Sequence, residues 1–311
     1  MQVQEKIFVA GHRGLVGSAI VRQLQAQGWK NLIFRSSREL DLREKDQVNL
    51  FFETSRPAYV FLAAAKVGGI WANKTKKAEF LRDNLLIQIN VMEAAYRYGV
   101  KKLLFLGSSC IYPRLAPQPM KEEYLLTGTL EETNDAYAIA KIAGIMGCKA
   151  YREQYGCNFI SCMPTNLYGP GDNFDLESSH VLPAMIHKFH KAKEAGLKEV
   201  ELWGTGTPKR EFLFVDDMAS ACIYLMQHYN GQEHINIGVG KDISISDLAL
   251  MVSKCVGYTQ KIIWNTDKPD GTPRKLMDIT RLRELGFEPR TSLETGINLT
   301  YQWFLQQEIS R

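Results

Sequence analysis

The sequence predicts an α/β protein: a doubly wound parallel sheet with a smaller, discontinuous C-terminal lobe. Three observations carry that expectation. The apolar run Ile7 to Ala10 is closed by glycines spaced G-x-x-G-x-x-G at Gly11, Gly14 and Gly17, and residues at helical spacing follow. Short apolar runs then alternate with helical patterns as far as Met163, the order that builds a parallel sheet with helices on its faces. Beyond Pro164 the alternation loosens into loops containing proline and glycine. The chain therefore divides into residues 1–165, with later strands returning to the sheet, and residues 166–311, mainly a lobe that closes over a ligand.

Taken in order, Ile7 to Ala10 reads as a buried strand. Ser18 to Gln27 carries Ala19, Ile20 and Leu24 on one helical face and stops at Gly28, a helix end. Strand, glycine turn and helix together form the context in which a dinucleotide is bound. Glycines let the backbone approach a pyrophosphate, and the helix N-terminus offers N–H groups and a positive dipole end. Leu32 to Phe34 reads as the second strand, residues 43–56 as a helix and Tyr59 to Ala63 as the third strand. Glu79 to Tyr98 reads as a long helix ended by Gly99, and Leu103 to Leu106 as the fourth strand. A helix from Tyr137 to Tyr155 and a fifth strand from Phe159 to Met163 complete a Rossmann-like half. Later come a loop from Pro164 to Pro170, a helix near Pro183 to Ala195 and a strand near Val200 to Trp203. An extended segment from Arg210 to Val215, a helix from Asp217 and a turn-rich, basic segment at residues 267–275 follow. Ligands on such sheets bind beyond the carboxyl ends of the strands, where the Gly11 turn, Ala63 to Lys66 and Ser108 to Cys110 all fall.

Composition narrows the partners. The 311 residues are 45% hydrophobic and 23% charged with a formal net charge of +4, so a full core is expected and a nucleic-acid partner is not. Six cysteines without a C-x-x-C pair read as free thiols in a reducing, cytoplasmic compartment. The first apolar run is too short for a signal peptide, and no run reaches membrane-spanning length.

The residues that carry chemistry cluster at the strand ends. A carboxylate after the second strand would bind the ribose diol of NAD; here Arg35-Ser36-Ser37-Arg38 stands instead. Arginines and hydroxyls suit the 2′-phosphate of NADP, and Arg13 in the glycine turn reaches toward the same place. Asp41 and Leu42 flank the adenine. Tyr137 and Lys141 sit one helical turn apart on one face, where the ammonium is expected to lower the phenol pKa from its usual value near ~10. Ser108 reads either as a donor to a carbonyl oxygen or as a turn serine. Cys110 reads either as a reactive thiol or as a small buried residue. His180 stands in a loop-like setting near these motifs. His187 and His190 lie three apart on a helix, but no acidic or thiol ligand joins them, so no metal is expected and a solvated face is.

The glycine turn, Ser108 and the Tyr137-x-x-x-Lys141 pair resemble the extended short-chain dehydrogenase/reductases, which act largely on nucleotide sugars. More specific stretches (GHRGLVGSAI from Gly11, LAAAKVGGI from Leu62, GSSCIYP from Gly107, NDAYAIAKIAGI from Asn134, MPTNLYGPGDNF from Met163, SSHVLPA from Ser178, REFLFVDDMA from Arg210 and DGTPRKLMD from Asp270) resemble the GDP-L-fucose synthase family over nearly the whole chain. That resemblance implies NADPH as cofactor and GDP-4-keto-6-deoxy-D-mannose as substrate, inverted at C3 and C5 and then reduced at C4. It implies Ser108, Tyr137 and Lys141 as the reductase triad, Cys110 and His180 as the epimerisation acid/base pair, and Lys188, Trp203, Arg210 and Asp270 as substrate contacts. Lys188 stands where some relatives carry arginine. The implied cofactor contacts add Leu15, Val16, Ala64, Leu106, Gly107, Pro164, Asn166, Leu167 and His180 to the turn residues above. The resemblance also implies a homodimer formed through the long helices 79–98 and 137–155. Two rival functions share the fold. One is another nucleotide-sugar epimerase or dehydratase, although Cys110-Ile111-Tyr112 stands where a dehydratase carries a carboxylate pair. The other is a non-catalytic NADP-binding scaffold, although the Tyr and Lys that scaffolds commonly lose are present.

Overall fold

A computed structural model describes residues 1, 4–176, 178–268 and 270–309; Pro269 of the turn-rich segment lies outside them. In the first half the strands are β1 (Ile7–Ala10), β2 (Leu32–Ile33), β3 (Tyr59–Leu62), β4 (Lys102–Leu106) and β5 (Phe159–Pro164). The helices between them are α1 (Leu15–Ala26), α2 (Lys45–Ser55), α3 (Ile70–Thr75), α4 (Lys77–Arg97) and α5 (Asp135–Tyr155). The second half contains β6 (Asn166–Tyr168), α6 (Val181–Glu194), β7 (Glu199–Trp203), β8 (Lys209–Arg210), β9 (Phe212–Phe214), α7 (Val215–His228) and β10 (Ile235–Ile237). It ends with β11 (Ile243–Ser244), α8 (Ile245–Val256), β12 (Lys261–Asn265), β13 (Arg274–Lys275), α9 (Thr280–Glu284) and α10 (Leu293–Ile309).

Six strands form one parallel sheet in the order β10-β5-β4-β3-β1-β2. Strands β1, β3, β4 and β5 are buried along their whole length, as expected for a sheet covered on both faces. Helix α1 packs on α7, and α4 lies between α2 and α5. A second core gathers Tyr168, Phe189, Leu202, Phe214, Leu248 and Ile297 from the C-terminal elements. The buried Lys102 links the sheet to α7: its ammonium donates to the carbonyls of Leu225 and Met226 at 3.0 Å each and also to Tyr229 O. A cation at a helix C-terminus meets the negative end of the dipole there.

Several boundaries move for identifiable reasons. Helix α2 starts at Lys45 because Asp41 Oδ1 accepts from the Arg43 backbone N–H at 3.0 Å and holds a turn ahead of it. Strand β2 stops before Phe34, whose ring stacks on His12 at 4.8 Å. The extended segment expected from Arg210 to Val215 is broken at Glu211, a residue with no exposed surface. Its carboxylate accepts from the N–H groups of Val239, Gly240 and Met277 at 2.6, 2.7 and 2.9 Å. Helix α7 follows β9 without a loop, from Val215. His187 and His190 do not form a solvated face: His190 is buried, and α6 turns this side into the second core. His187 Nδ1 donates to Phe174 O at 2.7 Å, and His190 Nδ1 shares a 3.0 Å hydrogen bond with the Tyr301 hydroxyl.

Candidate active site

A cavity of about 720 Å³ opens beyond the carboxyl ends of the parallel strands. At its floor the chain passes from β1 to α1 through a turn that only glycine fits. Gly11 has a φ of +85°, and a Cβ built there would lie 2.7 Å from Ala64 N. A Cβ at Gly17 would lie 2.1 Å from Gly11 O. Gly14 precedes α1 without a side-chain cap, so the first-turn N–H groups are left for a ligand. Leu15, Val16 and Gly17 of that turn line the cavity together with Gly11, Arg13 and Gly14.

The cavity wall continues through Arg35, Ser36, Ser37, Asp41 and Leu42, then Ala64, Leu106, Gly107 and Ser108. Tyr137, Lys141, Pro164, Asn166, Leu167 and His180 close it. Arg38 is exposed and is not part of the wall. Glu39, which the sequence reading did not single out, bonds into the arginine–serine turn: its Oε2 accepts from Ser36 N at 2.7 Å and Ser36 Oγ at 2.6 Å. Lys66 and Asp83, also on the wall, pair at 2.9 Å, and Asp83 is 4% exposed with Arg82 and Arg43 on its other sides.

The reactive groups converge on Ser108, at the end of β4. Ser108 acts on both the Tyr137 phenol and the Cys110 thiol, lowering the pKa of each against the effect of burial. Lys141 Nζ donates to Leu106 O at 2.8 Å and lies 5.7 Å from the Tyr137 ring centroid. The expected lowering of the phenol pKa is not what this geometry gives. Burial raises it, because the ammonium sits on a backbone carbonyl rather than on the phenol oxygen. Burial also brings Lys141 down to about 8. The Cys110 thiol is pushed up by burial, while Ser108, Lys275 and Lys141 pull it back. His180 caps the start of α6; crowding by the cavity walls lowers its pKa, although its surface remains open to solvent.

Cys110 does not line this cavity, although Ser108 and Lys141 of its wall both act on the thiol. Lys188, Trp203, Arg210 and Asp270 also lie off the cavity wall. Lys188 Nζ is 5.6 Å from the Trp203 ring centroid, and Trp203 is 64% exposed. Asp270 accepts from Thr205 N at 2.9 Å and Thr205 Oγ1 at 2.6 Å, with the Arg210 guanidinium nearby. Lys275, missed from the sequence, joins the two groups: it is the β13 register partner of Arg210 and one of the cations acting on Cys110. Its position after DGTPR was the available signal, but only the β8–β13 pairing shows what it faces.

A glycine cradle at a parallel sheet's carboxyl edge, with a Ser–Tyr–Lys cluster beside it, defines a nucleotide-dependent enzyme of the short-chain dehydrogenase type. The chain belongs to the NAD dependent epimerase/dehydratase family, whose profile matches residues 7–238. It is 58% identical over 306 residues to GDP-L-fucose synthase 1 of Arabidopsis thaliana, covering 98% of this chain and 95% of that one. It is 52% identical over 314 residues to GDP-L-fucose synthase of Escherichia coli strain K12, covering 98% of each. Among solved structures it resembles a GDP-L-fucose synthetase from Naegleria fowleri bound to NADP, with a TM-score of 0.92 and 32% identity, covering 100% and 97% of the two chains.

Proposed function

We propose that this protein converts GDP-4-keto-6-deoxy-D-mannose to GDP-L-fucose, by epimerisation at C3 and C5 and NADPH-dependent reduction at C4. The observation that carries the reading is the place of Ser108: it lines the cavity with Tyr137 and Lys141, and it acts on both the Tyr137 phenol and the Cys110 thiol. One serine thereby joins a reductase pair to an acid/base thiol at a single point.

The cavity fits NADP(H). The backbone cradle at Gly11 and Gly17 and the open first turn of α1 suit the pyrophosphate. Arg13, Arg35, Ser36 and Ser37 suit the 2′-phosphate, Asp41 and Leu42 the adenine, and Lys141 the nicotinamide ribose. When bound, NADPH supplies hydride to C4. The protein's own groups do the rest. Protons beside a ketone become acidic once the enolate oxygen is stabilised, and Ser108 and Tyr137 would donate to that oxygen. Each inversion removes a proton from one face of the sugar and returns one to the other, work shared by Cys110 and His180. Burial favours the protonated form of the thiol and the neutral form of the imidazole, so one would enter the step as acid and the other as base. During reduction Tyr137 delivers a proton to the C4 oxygen. Lys188, Trp203, Arg210 and Asp270 are proposed to hold the GDP-sugar, Lys188 through a single rather than a forked contact.

We further propose a cytoplasmic homodimer. All six cysteines are free, and among the described residues no helix is long and apolar enough to cross a membrane. The test of function is product identity: incubated with the 4-keto sugar and NADPH, the protein should yield GDP-L-fucose with one NADPH oxidised per product. Oxidation of NADPH with formation of a different sugar would overturn the reading.

A further inference from the structure

The turn that follows β2 contains an anion already in place. Ser36 stands at the cavity wall beside Arg35 and Ser37, yet its two donors are taken: N–H and Oγ–H both reach Glu39 Oε2, at 2.7 and 2.6 Å. Arg35 and Arg13 both favour the charged form of this carboxylate, and the carboxylate in turn raises the pKa of His12. Half of a capping box is present, because the Glu39 carboxylate reaches back to the Ser36 N–H, but the serine half is different. In a capping box the serine oxygen accepts from the backbone N–H three residues on. Here Glu39 N–H bonds Ser36 O at 3.0 Å, and the serine hydroxyl donates to the carboxylate. The carboxylate thus takes the two Ser36 donors, with two arginines favouring its charge, a combination of the kind that recognises a phosphate monoester.

We propose that Glu39 is a built-in competitor of the 2′-phosphate and sets how strongly the protein discriminates NADPH from NADH. The inference rests on the NADPH reading above. A 2′-phosphate carries about −1.5 to −2 charges near neutrality and needs the donors that Glu39 holds, so the carboxylate must swing out. Glu39 is exposed, so solvent receives it readily, but the Ser36 bonds and the attraction of two arginines are given up. A free 2′-hydroxyl brings no such conflict, because it can donate to the carboxylate where it stands. Glu39 therefore weakens NADPH binding while sparing or supporting NADH, and the preference is smaller than the two arginines alone would produce.

The test is equilibrium binding of 2′,5′-ADP and 5′-AMP, then of NADPH and NADH, by calorimetry at fixed pH and ionic strength. Glu39→Gln keeps the length of the side chain and removes its charge. It should bind 2′,5′-ADP and NADPH roughly 3- to 10-fold more tightly, the scale of a partly exposed charged hydrogen bond. Binding of 5′-AMP and NADH should stay the same or weaken by about twofold. Glu39→Asp, too short to span the same turn but still charged, should fall between the two. An unchanged ratio of 2′,5′-ADP to 5′-AMP affinity in Glu39→Gln overturns the proposal. So does equal weakening of both ligands with a lower melting temperature, which is the behaviour of a structural cap. If wild-type protein itself shows no preference for 2′,5′-ADP over 5′-AMP, the NADPH reading fails, and that result is separable from the effect of Glu39.

Discussion

At the scale of single residues, the site runs on protons whose positions burial decides. Cys110 and Tyr137 are both held protonated by their surroundings, while Lys141 is brought down to about 8. In the proposed mechanism Cys110 and His180 serve only to move carbon-bound protons, which makes their roles separable from hydride transfer. In heavy water without NADPH, Cys110→Ala and His180→Ala should each slow deuterium exchange into C3 and C5 by roughly 10²–10⁴-fold, the usual worth of a positioned acid or base. Wild-type exchange by Cys110→Ala would return that cysteine to the role of a small buried thiol. With NADPH present, both variants should leak the uninverted 4-reduced sugar, detectable by chromatography. Tyr137→Phe should lose turnover with NADPH binding nearly intact. The sign of the pH dependence follows from Lys141. Its pKa lies below the ordinary lysine value, so the ammonium is complete below about 8 and is lost as pH rises through that point. The kcat/KM for reduction should therefore fall above pH about 8, and Lys141→Arg should move the fall to higher pH at a lower plateau. A profile that stays flat to pH about 10 would detach Lys141 from the proton inventory.

At the scale of elements, the β1–turn–α1 unit is a backbone device and depends on what is missing from its side chains. A methyl group at Gly17 would sit 2.1 Å from Gly11 O, a backbone atom that cannot step aside without moving β1. Gly17→Ala should therefore raise the NADPH dissociation constant at least tenfold and cost about 1–3 kcal/mol of stability, read by fluorescence titration and thermal melting. This unit was legible in the sequence because every requirement is local: four apolar residues, three glycines and a helical period. The four fully buried strands were legible for the same reason. What escaped were features assembled over distance. Strand β10 is three residues long and gains its meaning only by pairing with β5. Glu211 reads as one polar letter between Arg210 and Phe212, and nothing local says that three N–H groups from two other segments close on its carboxylate. Lys275 becomes part of the Cys110 surroundings only through its parallel register with Arg210. The direction of the Tyr137 shift escaped because spacing placed Lys141 on the right face but could not show how deeply the phenol is buried or that the ammonium bonds Leu106 O.

At the scale of the whole molecule, the helix that carries Tyr137 and Lys141 has a second face to account for. On α5, Ile139 and Met146 are 49% and 45% exposed, seven residues apart and turned away from Tyr137 and Lys141. On the neighbouring α4, Leu86, Ile89 and Tyr96 share one face at 37%, 48% and 40% exposure. Two packed helices thus present one apolar surface, and scattered exposed apolar residues would not repeat at helical spacing in this way. The proposed homodimer would cover this surface, setting α4 and α5 against their copies as a four-helix contact. Wild-type protein should then sediment as a dimer at micromolar concentration. Ile89→Glu combined with Met146→Glu should give monomers, since each buried carboxylate in a two-fold contact meets an apolar partner face and its own copy. The monomer should lose activity as well as mass, because α5 would lose the support behind Tyr137 and Lys141. That loss should appear more in kcat than in NADPH affinity, which rests mainly on β1, α1 and the turn after β2. A wild-type monomer with full activity would remove the dimer from the account. A double variant that remains dimeric would place the interface on another face of the molecule.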